Sequence, residues 1–324
     1  MRLTALGLVL VAAAVLAVGV GSAGLPLSEV LDALRGGADQ ATRVIVWDLR
    51  LPRILLAALV GGALALSGAV FQALLRNPLA DPYVLGVSGG AAVGAVLALA
   101  LGADHTASAA VPFAALAGAL GATALVFRIA SAPGRPLDTR VLLLAGVIAG
   151  AFFNAIILLL LTFASAETFR SAIFWMMGSL AGAGWRAPAI LAAVVLPVSV
   201  ALLLLARSLN LLAIGEETAL FLGTRVERVK VAAYFLASVL VAGSVAAAGV
   251  IGFIGLVVPH ALRLAWGGDH RLLLPACLLA GGAFLIAADT LARGVTGAME
   301  LPVGVVTALV GVPVFALLLR RSLA

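Results

Sequence analysis

The stretch ILLAALVGGALALSGAVFQALL, residues 54–75, is an apolar run without a charged side chain. A bilayer core of about 30 Å is crossed by roughly 20 apolar residues in an α-helix, so this run predicts one membrane-spanning helix. The run is continuous, whereas strands of a membrane barrel alternate apolar and polar residues. Residues 54–75 therefore predict a helical membrane protein and exclude a barrel.

Similar apolar runs recur on both sides of residues 54–75. The 324-residue chain is 64% hydrophobic and 10% charged, and its mean hydropathy is +1.24. This composition is typical of a polytopic membrane protein. We predict an all-α fold in a single domain, residues 1–324, with about ten spans. They are placed at 3–22, 54–75, 83–102, 109–130, 141–163, 187–206, 230–249, 251–266, 272–292 and 302–319.

Basic residues predict the orientation of these spans. With both termini in the cytoplasm, thirteen of the 20 Lys and Arg residues lie on the cytoplasmic side and seven outside. Cytoplasmic loops carry the excess of Lys and Arg, so this multi-pass orientation is favoured. The net charge of +6 then reflects loops beside anionic membrane lipid and does not indicate nucleic-acid binding.

The run at residues 54–75 also has a faint counterpart later in the chain. Each of five positions recurs 181 residues further on: Gly62, Ala65, Gly68, Leu75 and Pro78 as Gly243, Ala246, Gly249, Leu256 and Pro259. Corresponding helices are five spans apart, so the two halves would be inserted in opposite orientations. Such inverted repeats are common in transport proteins, and chance matching among Gly, Ala and Leu is the alternative.

A polar segment interrupts the apolar pattern between the sixth and seventh spans. Residues 213–223, AIGEETALFLG, are compatible with a helix and place Glu216 beside Glu217. Basic residues surround it at Arg207, Arg225, Arg228 and Lys230. An apolar protein exposes such a segment where it meets something in water, so the cytoplasmic loop 207–229 is predicted to contact a partner.

Five further motifs follow one another from residue 50 towards the end. They are RLPR at 50–53, RNPLADPYVLGVSGGAAVG at 76–94, GFIGLVVPH at 252–260, DHRLLLP at 269–275 and ELPVGVVTALVGVPVF at 300–315. Together with residues 213–223 they resemble the permease subunits of ATP-binding-cassette (ABC) importers for iron chelates, haem and vitamin B12, the FecCD family. The resemblance implies a type II ABC importer permease fold in the inner (plasma) membrane of a bacterium or archaeon.

The same resemblance implies a function and a set of partners. The chain would be the permease of an ATP-driven importer that moves a metal chelate from a binding protein to the cytoplasm by alternating access. Two copies would form a homodimer, bound to two ATPase subunits and supplied by a periplasmic or lipid-anchored substrate-binding protein. An iron-siderophore is the expected cargo, and haem and cobalamin are alternatives that these motifs do not separate.

The chain is not expected to be an enzyme or to hold a cofactor or metal. It contains no G-x-x-x-x-G-K-[ST], and its only lysine, Lys230, does not follow a glycine. ATP and Mg²⁺ would therefore be bound by the ATPase partner. Cys277 is the only cysteine, so an intramolecular disulfide is excluded, and it lies in an apolar span.

Two groups of residues are candidate sites. The resemblance implies ATPase coupling through Gly215, Glu216, Glu217, Thr218, Ala219, Leu220, Leu222 and Gly223. We expect both carboxylates to face basic residues of the ATPase, with capping of a helix start as the alternative. Similarity to vitamin B12 permeases of this family implies that Arg50, Arg53 and Arg293 receive glutamates of the binding protein. Arginine suits carboxylates, but snorkelling to lipid headgroups and a local Asp289–Arg293 pair are alternatives.

Two other functions would use different residues. The segment at residues 86–90 fits G-x-S-x-G, so an intramembrane serine protease would use Ser88 as nucleophile and His260 as base. That motif needs a preceding strand, and a proline-containing loop precedes it here. A secondary transporter would use Asp289, the one acid well inside a span, yet no series of acids or histidines suggests a proton relay.

Overall fold

The computed structural model describes residues 1–21, 24–103, 109–131, 137–294 and 300–322, and within these ranges it contains helices but no strand. The α-helices are α1 (Arg2–Gly19), α2 (Leu27–Arg35), α3 (Gln40–Val44), α4 (Leu51–Leu74), α5 (Val87–Ala100), α6 (Ala110–Ala130), α7 (Thr139–Thr162), α8 (Ala166–Met176), α9 (Arg186–Leu204), α10 (Ala206–Ile214), α11 (Glu216–Phe221), α12 (Val226–Ala248), α13 (Ile254–Trp266), α14 (His270–Gly294) and α15 (Val303–Ser322). A π-helical turn, Ile45–Arg50, joins α3 to α4, and a 3₁₀ turn, Pro82–Leu85, precedes α5.

The helices confirm the predicted all-helical membrane fold. Seven described stretches are long and apolar enough to cross a bilayer: α1, the helix Gln40–Leu74, α6, α7, α9, α12 and α14. The shorter apolar helices α5, α13 and α15 fall in the other three predicted spans. Helices α5 and α13 have 14 and 13 residues, fewer than the roughly 20 that a crossing needs, so the count of ten is approximate.

The second span begins earlier than predicted. A continuous helix runs from Gln40 to Leu74, and Pro52 lies inside it. Proline has no N–H, and its ring crowds the carbonyl four residues before it. The π-helical turn accommodates this break, because the N–H of Leu51 donates to the carbonyl of Val46, five residues back. The span predicted at 54–75 is therefore the later part of a longer continuous helix that already contains Arg50 and Arg53.

Close backbone contacts place α4 at the centre of the molecule. It packs against α14, α12, α13 and α9. A Cβ atom added to Gly61 would overlap the carbonyl oxygen of Gly281 in α14, and one added to Gly68 would overlap that of Gly255 in α13. Small residues permit such approach in a membrane, where helices associate through packing.

Helix α4 also connects two charged regions. Its first turn lies beside the ends of α1 and α14, and the residues after its last turn lie beside α11. At 1.5 Å per residue, its 24 residues separate these regions by about 36 Å. We call the region beside the ends of α1 and α14 the α2 end, and the region beside α11 the α11 end.

The inverted repeat that the sequence suggests stays a prediction.

Candidate functional site

The predicted coupling segment forms a short helix–turn element at the α11 end. Helix α10 stops at Ile214 because Gly215 has φ 153°, a conformation that glycine adopts without a Cβ clash. Helix α11 then runs to Phe221, and Gly223 has φ 80°. Two glycines therefore define the element within residues 213–223.

An apolar surface covers the tip of this element. The Phe221 side chain is 91% exposed, and its neighbours Ile214, Leu220 and Leu222 are also exposed. Ala219, on the opposite face of α11, is buried. Exposed apolar patches mark interaction surfaces when they adjoin polar residues, so this tip is suited to enter a groove of a soluble partner.

The two adjacent carboxylates point to different surroundings. Glu216 Oε2 lies 2.9 Å from Lys230 Nζ, and Glu216 Oε1 lies 3.7 Å from Arg76 Nη2. Glu217 is exposed and has no hydrogen bond or ion pair within the described ranges. Both carboxylates were expected to face the ATPase. Glu216 is paired with Lys230 and Arg76 of its own chain, whereas Glu217 is available to bind a partner protein.

A charged groove lies beside these carboxylates. It has a volume of about 710 Å³ and runs between α11 and the start of α7. Its charged lining residues are Arg76, Asp138, Arg140, Glu216, Glu217 and Glu227. The buried Lys230 lies beneath this groove. The sequence placed it only among the basic residues near α11. The signal that could have singled it out is that it is the only lysine of the chain and stands just inside an apolar span.

Helix α10 is fixed to the start of α14. Asn210 Nδ2 donates to Asp269 Oδ1 at 2.7 Å, and Asn210 Oδ1 accepts from the backbone N–H of His270 at 2.8 Å. The side chain of Arg271 also donates to Asp269, and these hydrogen bonds, that of Arg271 first, hold the pKa of the Asp269 carboxyl well below its usual range. The DHRLLLP motif therefore fixes the segment that leads into α11.

At the α2 end, Arg53 is held between two carboxylates. Its Nη2 and Nε donate to Asp289 at 2.8 and 3.0 Å, and its Nη1 donates to Glu300 at 2.8 Å. Arg53 is 9% exposed and Asp289 is 1% exposed, whereas the side chain of Glu300 is nearly half exposed. Neither motif spacing nor charge pattern predicts that Glu300 joins this cluster.

Arg50 and Arg293 complete the cluster. Arg293 Nε lies 3.1 Å from Asp289 Oδ2, as the alternative reading of this pair expected, and Arg293 Nη1 donates to the carbonyl oxygen of Val20 at 2.8 Å. Arg50 donates to the carbonyl oxygen of Val18 at the end of α1. The structure thus brings the three predicted docking arginines together and buries them. Their docking role stays a prediction.

The residues of the protease hypothesis do not form a catalytic pair. Neither ring nitrogen of the buried His260 has a hydrogen-bond partner among described residues, and its ring instead meets Phe315 edge-on at 5.8 Å. A 3₁₀ turn, and not a strand, precedes Ser88. The described ranges also contain no group of three or more His, Cys, Asp or Glu side chains placed to hold a metal.

Family comparison agrees with this architecture. The family model for the FecCD transport family matches residues 9–321. The chain belongs to the FecCD transport family. FecCD members are transport permeases, so this chain is a multi-pass permease subunit of the inner membrane. Nothing in the comparison supports the protease or secondary-transporter alternatives.

Named relatives and a solved structure narrow the type of importer. The chain is 47% identical to the cobalamin import system permease BtuC of Halobacterium salinarum, over 94% of this chain and 82% of that protein. It is 45% identical to the vitamin B12 import system permease BtuC of Escherichia coli, over 86% and 84% of the two chains. A solved inward-facing metal-chelate type ABC transporter has a TM-score of 0.86 and 34% identity, and the match covers 99% of this chain and 98% of that one. This FecCD chain is therefore a permease of the metal-chelate and vitamin B12 type.

Proposed function

We propose that this FecCD permease imports cobalamin with energy from ATP hydrolysed by a partner. The observation that carries the choice of cargo is the high identity to cobalamin permeases from both an archaeon and a bacterium. This replaces the iron-siderophore that was expected from the family resemblance, since the motifs do not separate the three cargoes. Cobalamin is itself a cobalt chelate, so the similarity to a metal-chelate transporter agrees with it.

The two charged ends suit the two partners of such an importer. The exposed tip of α11 fits an ATPase subunit, because it offers apolar side chains and the free carboxylate of Glu217. The α2 end would receive the binding protein, and two permease copies would form the pathway between them. The cargo would pass by alternating access, with both chain termini on the α11 side in the cytoplasm. ATP and Mg²⁺ would be held by the ATPase.

Docking at the α2 end has a geometric requirement. Arg53 already uses three of its nitrogen atoms on Asp289 and Glu300. Asp289 is buried, but Glu300 lies at the surface and makes a single hydrogen bond to Arg53. A glutamate of the binding protein would therefore reach Arg53 by replacing Glu300.

The cargo is tested in proteoliposomes that contain the permease, its ATPase and its binding protein. We expect ATP-dependent uptake of radiolabelled cyanocobalamin and no uptake of a ferric siderophore under the same conditions. Vesicles with the permease alone and an ion gradient are the control. Siderophore uptake without cobalamin uptake would reject the cargo, and gradient-driven uptake without ATPase would reject the importer class.

A further inference from the structure

The amine of Lys230 joins three segments at the α11 end. Lys230 lies in the second turn of α12 and is 1% exposed. An ammonium group has three N–H donors. Here Nζ has three acceptors: Glu216 Oε2 at 2.9 Å, Glu227 Oε1 at 2.8 Å and the carbonyl oxygen of Leu137. One atom therefore links α11, α12 and the residue that leads into α7.

Glu216 extends this link to the central helix. Its second carboxylate oxygen lies 3.7 Å from the guanidinium of Arg76, just beyond the end of α4. Arg76 has φ 48°, an uncommon conformation for a residue with a side chain. The four side chains Glu216, Lys230, Glu227 and Arg76 balance two negative against two positive charges. We call them the Lys230 cluster.

The location of the Lys230 cluster connects the exposed surface to the spans. Glu216 is the first residue of α11, whose last residue is the exposed Phe221. Helix α12 packs against α4, α6 and α9. Separating Lys230 from Glu216 would leave the buried ammonium with only Glu227 and the Leu137 carbonyl, and losing one of its partners is unfavourable. These contacts therefore favour movement of α11 together with α12 and, through Arg76, with the end of α4.

We propose that Lys230 is a positioning residue that converts movement of the ATPase into movement of the spans. This inference rests on the proposed function, in which the ATPase binds the tip of α11. It assigns different roles to neighbouring carboxylates: Glu216 holds α11 to the spans, and Glu217 faces the partner. Neither composition nor motif spacing separates these roles.

The test uses the complete transporter in proteoliposomes. Lys230→Met keeps the buried aliphatic stem and removes the charge. We expect assembly with the ATPase and basal ATP hydrolysis to stay normal. The amount of cyanocobalamin taken up per ATP hydrolysed should fall about tenfold relative to wild type, which is the scale of a coupling between two sites. Glu216→Gln should give a similar loss. The double variant should be no worse than Lys230→Met, because both changes break the same link.

Arg128→Met is the matched control. It removes an exposed cation from the last turn of α6 that forms no ion pair with the Lys230 cluster, and should leave uptake per ATP unchanged. Unchanged uptake per ATP in Lys230→Met would overturn the inference, as would additive losses in the double variant. A parallel loss of assembly, hydrolysis and uptake would also overturn it by showing a purely structural role. If Lys230→Met does not reach the membrane, Glu216→Gln decides by the same readouts, since its carboxylate is partly exposed. A wild-type complex without ATP-dependent uptake would instead reject the proposed function.

Discussion

Asp289 shows how charge is kept at the end of a membrane helix. It is almost completely buried in α14, and its carboxylate contacts both Arg53 and Arg293. The carbonyl oxygens of Ala17 and Val20 accept further hydrogen bonds from Arg293. Buried charges are tolerated when paired and hydrogen-bonded, so these contacts hold the ends of α1, α4 and α14 together.

Asp289→Asn should destabilise the protein strongly. Two buried arginines would lose their shared counter-charge, and removing one partner of such a group costs about 3–5 kcal/mol. Thermal unfolding of the purified permease in detergent measures the loss. Asp48→Asn is the control, because Asp48 is exposed and surface charges contribute little. Equal destabilisation by the two variants would contradict this explanation.

Glu300→Gln should strengthen docking of the binding protein. The change removes the surface carboxylate that occupies Arg53 Nη1, so an incoming glutamate meets less competition. We expect affinity to rise several-fold, on the scale of about 1 kcal/mol for a partly exposed pair, and the gain to fade with added salt. Surface plasmon resonance with permease in nanodiscs measures it. Glu167→Gln, an exposed carboxylate on α8, should change little; weaker docking in Glu300→Gln would show that Glu300 itself receives the partner.

Helix α11 is an element that its surroundings hold in place. It has six residues, and isolated helices shorter than about 12 residues are marginal in water. Glu216 at its start and the buried Ala219 fix it to the molecule, which leaves Leu220, Phe221 and Leu222 exposed. The element therefore presents an ordered apolar tip to a partner.

Phe221→Ala should weaken association with the ATPase. Aromatic anchors at interface centres dominate binding, and losing one costs about 2 kcal/mol or more. The expected result is at least a tenfold loss of affinity with normal membrane insertion, measured by titrating ATPase against permease in nanodiscs. Phe163→Ala, also strongly exposed but at the far end of α7, is the control. Full affinity in Phe221→Ala would remove this tip from the interface.

At the scale of the whole molecule, α4 orders the two ends. Its first turn carries Arg53, and Arg76 follows its last turn, so one helix reaches from the cluster around Asp289 to the Lys230 cluster. The proposed orientation places the α11 end in the cytoplasm and the α2 end outside. Partners on opposite sides of the membrane would then act on the same buried helix.

Cysteine labelling tests this orientation. Cys277 is buried, so a Cys277→Ala background can carry single exposed cysteines. Glu217→Cys should react with a membrane-impermeant maleimide only from the cytoplasmic side, and Glu29→Cys only from outside. Intact cells and inverted vesicles provide the two conditions. The reverse pattern would invert the topology, and wild-type protein should stay unlabelled until it is unfolded.

Particular residues show what the sequence could predict. Residues 54–75 predicted a span because hydrophobicity is a property of the local sequence, and a long enough apolar stretch is sufficient to cross a bilayer. The start of that helix at Gln40 was not predictable, since long-range contacts hold it: Trp47 donates to the carbonyl of Ala33, and Trp185 donates to that of Trp47. Residues 213–223 predicted the exposed element for the same local reason.

The ion-pair partners within each charged cluster could not be predicted from the local sequence. Glu216 and Glu217 are equivalent in sequence, and only Arg76, far earlier in the chain, and Lys230 make them different. In the same way, Glu300 contacts Arg53 across most of the chain length. A single sequence carries no signal for such pairs, because they depend on how the helices pack.

The π-helical turn Ile45–Arg50 determines how the side chains before it are rotated, about the helix axis, relative to the side chains after it. Each α-helical residue rotates the side-chain direction by about 100°, so one extra residue in the turn decides how the faces before and after it are related. With it, Trp47 reaches Ala33 while Arg53 reaches Asp289. Deleting one residue between them would turn one of these side chains away by more than a quarter of a circle. A one-residue gap at this place in an alignment of related permeases would therefore mark a rotation of the helix face, and not simply a shorter chain.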